Sequence, residues 1–357
     1  MYKYSHGGDI YNKNGSVIQN IIDLSTNINP LGMPKEAIIA AKTSIDNSHV
    51  YPDFACRALT SKLAEFEDLK ISDILCGNGA SDILFRLAFA LKPKKALIPA
   101  PSFNDYSRAC EAIGASVKYY FLKKDDNFNI RKDIIEIILL YLPDMVFICN
   151  PNNPTGSLTE FQKIEEIASA CKAIGSLLVI DECFLDFASK AENYSAKSLI
   201  KKYKNIVILK AFTKMFSMPG LRLGYAISEN IELLDRLRHC GPDWSVSNAA
   251  QSAGIAALKN GIEYMKKSRS YIKQEREFMI MELNRIGFTV YPSSANFIFF
   301  YCPFNLDLHK ELLKNNILIR NCENFKGLKK GFYRSAVATN ERNAQLIKVL
   351  HELLSDL

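Results

Sequence analysis

The chain has 357 residues, 48% of them apolar, and a formal net charge of +7. It contains no apolar run of the roughly 18 residues that a membrane span needs, and its first residues lack the apolar core of a signal peptide. We therefore expect a soluble, cytoplasmic protein without membrane contact. No basic run is interleaved with aromatic residues, which argues against nucleic-acid binding, whereas a slight positive excess suits small phosphorylated ligands.

The nine cysteines are odd in number and widely spaced, without a Cys-x-x-Cys pair. This pattern favours reduced thiols over disulfides or a zinc site. The five histidines form no His-Glu-x-x-His motif, so we predict no catalytic metal. We interpret Cys183, which follows a candidate site residue closely, as a buried and inert thiol.

In chain order, residues 1–33 are predicted to form an N-terminal arm, because the Asn, Gly and Pro residues of 25–32 indicate tight turns. Helices are predicted over 35–44 and 58–66. From about residue 74 onward, short apolar runs alternate with helical patterns. This alternation is typical of a parallel, doubly wound sheet that binds ligands at the carboxyl ends of its strands, and it predicts a large domain over residues 34–245.

The pattern changes after Trp244. A long helical region over about 247–285 precedes several strand-like runs and a final helix. This pattern predicts that residues 246–357 form a smaller α+β domain. The predicted fold class is α/β, with a mainly parallel, doubly wound sheet in the large domain.

Several of the predicted strands end at residues typical of a ligand site. A Gly-rich turn that includes Gly79 opens a helix at Ala80 and Ser81, where unpaired backbone N–H groups can cradle an anion. Two prolines and three asparagines make residues 150–156 a rigid loop that can hold the amide of Asn153 against a ligand. Asp181 places a carboxylate at the end of another strand.

Lys214 follows the apolar run 206–209, and the Pro219-Gly220 turn lets the chain fold back and bring Arg222 towards it. Two cations at one strand end need an anion between them, and a phosphate fits, since Arg222 and the hydroxyl of Thr213 can both bind it. A partly desolvated lysine beside another cation has a lowered pKa. Such an amine can form a Schiff base with an aldehyde.

These residues together match the requirements of pyridoxal 5′-phosphate. Lys214 would bond to the aldehyde and Asp181 would pair with the ring nitrogen. Asn153 would donate a hydrogen bond to the ring hydroxyl, and Phe103 could stack on the ring face. The cofactor phosphate would be bound by donors from two strand ends, namely Gly79, Ala80, Ser81, Thr213 and Arg222.

Four motifs carry a resemblance to a known family: Gly77-Asn78-Gly79-x-Ser81-Asp82, Asn150-Pro-Asn-Asn-Pro-Thr-Gly156, Asp181-Glu182, and Thr213-Lys214 followed by Gly220-Leu-Arg-Leu-Gly-Tyr225. In these motifs the chain resembles the fold-type I, aminotransferase-like pyridoxal-phosphate enzymes. Within them it is similar to the histidinol-phosphate aminotransferase group. The likeness extends over nearly the whole chain.

Finer features resemble one branch of that group, the threonine-phosphate decarboxylases of cobalamin biosynthesis. They are His6-Gly7-Gly8, residues 25–34, Trp244-Ser245-Val246 and residues 317–320. Phe184 also fits, because histidinol-phosphate aminotransferases usually carry a tyrosine there. This resemblance implies a lyase that converts L-threonine O-3-phosphate to (R)-1-amino-2-propanol O-2-phosphate and CO2.

The resemblance further implies a homodimer in which Tyr51 reaches the cofactor phosphate of the neighbouring subunit. Arg334 matches the arginine that binds the substrate carboxylate. The remaining candidates for substrate binding are His6, Asn29, Asn153 and Arg320. One departure is Ala211, where many relatives have a Ser or Thr that helps to hold the cofactor phosphate.

Two alternatives stay open. The first is histidinol-phosphate aminotransferase activity, since the bond that breaks at the substrate's α-carbon depends on which bond stands perpendicular to the cofactor ring. The second is a catalytically silent binding protein on the same scaffold. The presence of both Lys214 and Asp181 argues against the second.

Overall fold

The structure, a computed structural model, describes residues 6–355. The first five residues of the predicted arm and the last two of the predicted C-terminal domain lie outside that range. The strands are β1 (Ile22–Asp23), β2 (Ile74–Gly77), β3 (Lys95–Ala100), β4 (Ser116–Phe121), β5 (Met145–Cys149), β6 (Leu177–Asp181), β7 (Ile206–Ala211), β8 (Gly224–Ile227), β9 (Thr289–Val290), β10 (Phe297–Tyr301), β11 (Ile317–Leu318), β12 (Arg320–Asn321) and β13 (Phe332–Ala336).

The α-helices are α1 (Lys35–Ser44), α2 (Arg57–Glu67), α3 (Ala80–Leu91), α4 (Asp105–Glu111), α5 (Asp133–Tyr141), α6 (Phe161–Ala173), α7 (Phe212–Met215), α8 (Ile231–His239), α9 (Asn248–Lys259), α10 (Gly261–Ile286), α11 (Leu308–Lys314) and α12 (Asn340–Ser355). Among these described helices, none combines the length and the apolar character that crossing a membrane requires. The helix predicted over 35–44 forms with those bounds, and the one predicted over 58–66 is one residue longer at each end.

The large sheet has seven strands in the order β2-β8-β7-β6-β5-β3-β4. Strand β8 is antiparallel to both of its neighbours, while the other six strands run in one direction. Along β5, Val146 and Ile148 pack into one apolar cluster and Phe147 packs into another. Both faces of the sheet are therefore covered, as expected of a parallel sheet, and the predicted α/β fold class is confirmed.

A second sheet is antiparallel, with the strand order β12-β13-β10-β9. The N-terminal strand β1 pairs in parallel with β11, and Leu24 extends this link by bonding to the backbone of both Leu318 and Ala336. The segment before residue 33 is thus tied to strands near the other end of the sequence. The domain boundaries after residues 33 and 245 stay predictions.

The fold brings four chain segments to one edge of the large sheet. Strands β2, β5, β6 and β7 are parallel, so the residues that follow them all emerge at the same side. In a sheet of this kind the carboxyl edge is where ligands bind.

Candidate active site

A cavity of about 370 Å³ lies at this edge of the large sheet. Eleven of the fourteen residues predicted for the site line it: His6, Ala80, Ser81, Phe103, Asn153, Asp181, Thr213, Lys214, Arg222, Arg320 and Arg334. Asp181 and Lys214 therefore face a single cavity. Gly79, Tyr51 and Asn29 are not among the residues that line it.

Lys214 lies in the short helix α7, directly after β7. Burial, together with the positive charge of Arg334, lowers the pKa of Lys214 to about 8. Arg222 contributes in the same direction but less than Arg334, whereas the sequence had indicated Arg222 as the neighbouring cation. The ammonium lies 5.6 Å from the centre of the Phe184 ring. A lysine in this environment can hold and release a proton near neutral pH.

Asp181 is the last residue of β6 and is oriented by two donors. The hydroxyl of Tyr106 donates to Oδ2 at 2.6 Å, and the backbone N–H of Cys183 donates to Oδ1 at 3.0 Å. Burial, together with the charge of Asp181, raises the pKa of Tyr106 well above its usual value, so the phenol remains a donor. Burial also raises the pKa of Cys183 well above that of an ordinary thiol, which agrees with the inert thiol predicted from the sequence.

The turn before α3 forms a cradle at the N-terminus of that helix. Gly79 has a φ of +83°, and a Cβ there would lie 2.8 Å from Nη2 of Arg222. The guanidinium can approach the turn this closely because the residue is a glycine. The backbone N–H groups at Ala80 and Ser81 and the cation of Arg222 thus lie side by side, which suits a phosphate.

Asn153 and Arg334 are joined by a hydrogen bond from Nη1 of Arg334 to Oδ1 of Asn153. Nη2 of Arg334 donates to the backbone oxygen of Ser25 at 2.7 Å, and its guanidinium lies 5.4 Å from the centre of the Phe297 ring. Burial lowers the pKa of Arg334 to about 10. Because the oxygen of the Asn153 amide accepts from Arg334, its nitrogen is the remaining donor for a ligand.

The structure brings Asn27, rather than Asn29, to the cavity. The amide nitrogen of Asn29 donates to Met215 O and Ser268 Oγ, both at 2.8 Å, so this side chain ties the arm to the rest of the fold. Asn27 is 2% exposed and lines the cavity, and within residues 6–355 its Oδ1 has no hydrogen-bond partner.

Tyr51 lies outside the cavity, with 75% of its surface exposed, and stacks on Trp244 with ring centres 4.5 Å apart. Phe325 and Asp105 are among the other residues of the cavity wall that sequence reasoning missed. Phe325 lies beneath Arg320, whose guanidinium carbon is 5.1 Å from the ring centre. Asp105 contacts His6 and Arg108. Neither residue belongs to a local motif that would have identified it.

The chain is similar to known proteins over most of its length. The family described as aminotransferase class I and II matches residues 19–350. The chain is 33% identical to the threonine-phosphate decarboxylase of Salmonella typhimurium, over all of this chain and 98% of that protein. It is 34% identical to a histidinol-phosphate aminotransferase of Caldanaerobacter subterraneus, over 93% of each chain. The crystal structure of the histidinol-phosphate aminotransferase from Clostridium acetobutylicum, 34% identical, has a TM-score of 0.87 and covers 94% of this chain and 99% of its own.

The cavity fits pyridoxal 5′-phosphate, the cofactor of this family. Lys214 would bond to the cofactor, Asp181 would pair with its ring nitrogen, and the cradle at Gly79 and Arg222 would hold its phosphate. The bound cofactor supplies an electron sink for the substrate bond that breaks. From the match over most of its length, the chain belongs to the class I and II aminotransferases and is a pyridoxal 5′-phosphate-dependent enzyme.

Proposed function

We propose that the enzyme decarboxylates L-threonine O-3-phosphate to (R)-1-amino-2-propanol O-2-phosphate and CO2 in cobalamin biosynthesis. The observation that carries this proposal is that Arg320 of β12 and Arg334 of β13 are directly opposite each other in an antiparallel pair. Opposite residues share one face of a sheet, where like charges repel. A substrate with both a carboxylate and a phosphate offers each guanidinium an anion.

The surroundings of Arg334 support a role in binding the substrate carboxylate. Its hydrogen bonds to Asn153 and Ser25 go to neutral oxygens, which orient the guanidinium without cancelling its charge. Its Nε is buried and has no hydrogen-bond partner among residues 6–355. A buried cation with an unused donor is a strong site for a carboxylate.

The phosphate of the substrate would then lie on the side of Arg320 and His6. Arg320 donates to Asn321 O at 2.6 Å and to Asn324 Oδ1 at 2.7 Å, which fixes its guanidinium above Phe325. His6 and Arg320 both line the cavity. We also add Asn27 as a polar contact for the substrate, because its buried Oδ1 faces no partner within the described part of the chain.

Lys214 is the residue to which we assign proton transfer. Decarboxylation breaks the bond between the α-carbon and the carboxylate, and a proton must then reach the same carbon. A lysine with a pKa of about 8 inside the cavity can deliver that proton. The surrounding burial keeps competing water away from the reacting carbon.

Histidinol-phosphate aminotransferase activity is a second candidate, favoured by the overall likeness to the Clostridium acetobutylicum enzyme. The two candidates differ in their products and co-substrate. We expect the purified enzyme, loaded with pyridoxal 5′-phosphate, to release CO2 from L-threonine O-3-phosphate without any 2-oxo acid. The aminotransferase would be favoured instead if L-histidinol phosphate is consumed only with 2-oxoglutarate, glutamate is formed, and L-threonine O-3-phosphate releases no CO2.

We further propose that the enzyme is a cytoplasmic homodimer. Tyr51, Phe54 and Val50 are large apolar residues that are more than half exposed, and Tyr51 stacks on the partly exposed Trp244. Clustered exposed apolar side chains mark interaction surfaces. Light scattering should give twice the mass of the chain, and Tyr51→Ala should weaken cofactor binding if this residue reaches the partner's site. A monomeric mass at micromolar concentration would contradict the proposal.

A further inference from the structure

Asp105, the first residue of α4, contacts two residues that line the cavity, His6 and Ser81, and one neighbour on its own helix, Arg108. Its Oδ1 lies 2.9 Å from Nη1 of Arg108 and 3.2 Å from Nε2 of His6. Its Oδ2 accepts a hydrogen bond of 3.5 Å from Ser81, a residue of the proposed phosphate cradle. The residue is only 7% exposed and lines the cavity.

A buried carboxylate is unexpected in the wall of a cavity that receives anions. At about 4 Å, two like charges near a protein surface repel by roughly 4 kcal/mol at an effective dielectric constant of about 20. The carboxylate is tolerated because the Arg108 guanidinium and Nε2 of His6 face it. Burial alone would raise the pKa of Asp105, but the hydrogen bond and charge of His6, with those of Arg108, lower it on balance.

The carboxylate also determines the geometry of His6. Nε2 of His6 lies 3.2 Å from the Asp105 carboxylate, which can only accept, and 3.4 Å from Nη1 of Arg108, which can only donate. The shorter contact favours the tautomer with a proton on Nε2, and it fixes the plane of the ring. The imidazole is further held beside Phe103, with ring centres 5.7 Å apart. Next to it, Gly7 packs so closely on Ser25 that a Cβ would lie 2.4 Å from the Ser25 carbonyl oxygen, and that oxygen accepts from Arg334.

We infer that Asp105 is a positioning residue that fixes the His6 imidazole at the cavity wall and, through His6, sets the affinity for the phosphoryl group of the substrate. The inference rests on the function proposed above, since it takes the phosphorylated substrate from there. Asp105 acts through His6 and need not touch the substrate. The alternative is that Asp105 only stabilises the first turn of α4, as acidic residues at helix starts commonly do.

A double-mutant cycle separates these roles. We compare the cofactor-loaded wild type with Asp105→Ala, His6→Ala and the double variant, and measure the dissociation constants of L-threonine O-3-phosphate and L-histidinol phosphate from the absorbance change on rapid mixing, before turnover. Each single variant should bind about tenfold more weakly, and the double variant no more weakly than His6→Ala. Affinity for L-threonine, which lacks the phosphoryl group, should change little. Glu111→Ala, at the other end of α4, is the matched control and should bind like the wild type.

Losses that simply add in the double variant would assign Asp105 to helix stability and overturn the inference. If the wild type binds L-histidinol phosphate but not L-threonine O-3-phosphate, the proposed function is wrong, while the cycle measured with L-histidinol phosphate still decides the role of Asp105. Binding of neither ligand would overturn both.

A second measurement needs no substrate. In protein labelled with ¹⁵N-histidine, with the His6 signals assigned through His6→Gln, Nε2 of His6 should be protonated in the wild type. Asp105→Ala should shift the ring towards the other tautomer or towards tautomer exchange. An unprotonated Nε2 in the wild type, or a His6 spectrum unchanged in Asp105→Ala, would overturn the inference even where the enzyme is active.

Discussion

The hydroxyl of Tyr106 lies 2.6 Å from Oδ2 of Asp181, and both side chains are buried beneath the cavity. Tyr106 belongs to α4, and its ring stacks on Phe147 of β5 with centres 5.1 Å apart and planes 12° from parallel. The second oxygen of Asp181 accepts from the Cys183 backbone. Donors from α4 and from the turn after β6 therefore hold the carboxylate that would face the cofactor ring.

Tyr106→Phe should lower kcat/KM by about 10- to 100-fold, because a hydrogen bond to a charged group contributes about 1.5–3 kcal/mol. The ring packing on Phe147 is retained, so the midpoint of thermal unfolding should change little. Steady-state kinetics with L-threonine O-3-phosphate provide the measurement. Tyr119→Phe, which removes a 3.5 Å surface bond to Glu111, is the control. Equal kinetics for the two variants would show that the contact to Asp181 has no catalytic role.

Lys214→Ala should abolish the visible absorbance of the cofactor–lysine linkage and reduce activity to background. No other amine is assigned to the cofactor aldehyde, and absorbance spectra of the purified variant after addition of pyridoxal 5′-phosphate give the answer. The control is Lys204→Ala, an exposed lysine before β7, which should keep the wild-type spectrum. A wild-type spectrum for Lys214→Ala would assign the linkage to another residue.

The lowered pKa of Lys214 also predicts a pH dependence of stability in the cofactor-free enzyme. Between its folded pKa of about 8 and the usual value of 10.5, the unfolded chain binds more protons at this residue than the folded protein does. The contribution of Lys214 to the free energy of unfolding should therefore rise with pH across this window, by about 2 kcal/mol after allowance for partial exposure. Denaturant titrations of wild type and Lys214→Met at pH 7.5 and 10 would isolate this contribution. A difference between the two proteins that does not change with pH would contradict the burial of the ammonium.

Two asparagines separated by one residue should respond differently to the same substitution. Asn29→Ala leaves the carbonyl of Met215 and the hydroxyl of Ser268 without a donor, so it should destabilise the fold by about 1–3 kcal/mol in denaturant titrations. Asn27→Ala removes an amide with an unpartnered oxygen in the cavity wall, and should raise KM while leaving stability nearly unchanged. The reverse pattern would mean that Asn29 rather than Asn27 contacts the substrate.

The sequence could predict some side chains of the site but not others. Asp181 and Lys214 were predictable because each lies at or shortly after the carboxyl end of an apolar strand, and parallel strands bring these ends to one edge. The direction of the Asn27 and Asn29 side chains was not, since it depends on contacts with Met215 and Ser268, almost 200 residues or more away. Local turn chemistry marks such a segment as irregular without stating which side chain faces a ligand.

Long-range pairing limited the prediction in the same way. The arm was recognised by its composition, but its parallel pairing with β11 depends on residues almost 300 positions later. Likewise, Arg320 and Arg334 were both candidates, but their direct opposition depends on the register of two strands joined by a loop. Register follows from packing of the whole sheet face, which spacing along the chain does not contain.

Arg334→Ala should lower kcat/KM for L-threonine O-3-phosphate by a factor that corresponds to a loss of several kcal/mol of transition-state stabilisation, because a substrate carboxylate would be left without its buried cation. Arg334→Lys should lose nearly as much, even though the charge is retained. A lysine ammonium cannot donate to Asn153 and Ser25 with the fork geometry of a guanidinium, so its charge would no longer be held at the carboxylate. Arg342→Ala, an exposed arginine of α12, is the control and should behave like the wild type. Full activity in Arg334→Lys would mean that the charge alone suffices, and the orientation by Asn153 and Ser25 would then have no part in binding the substrate.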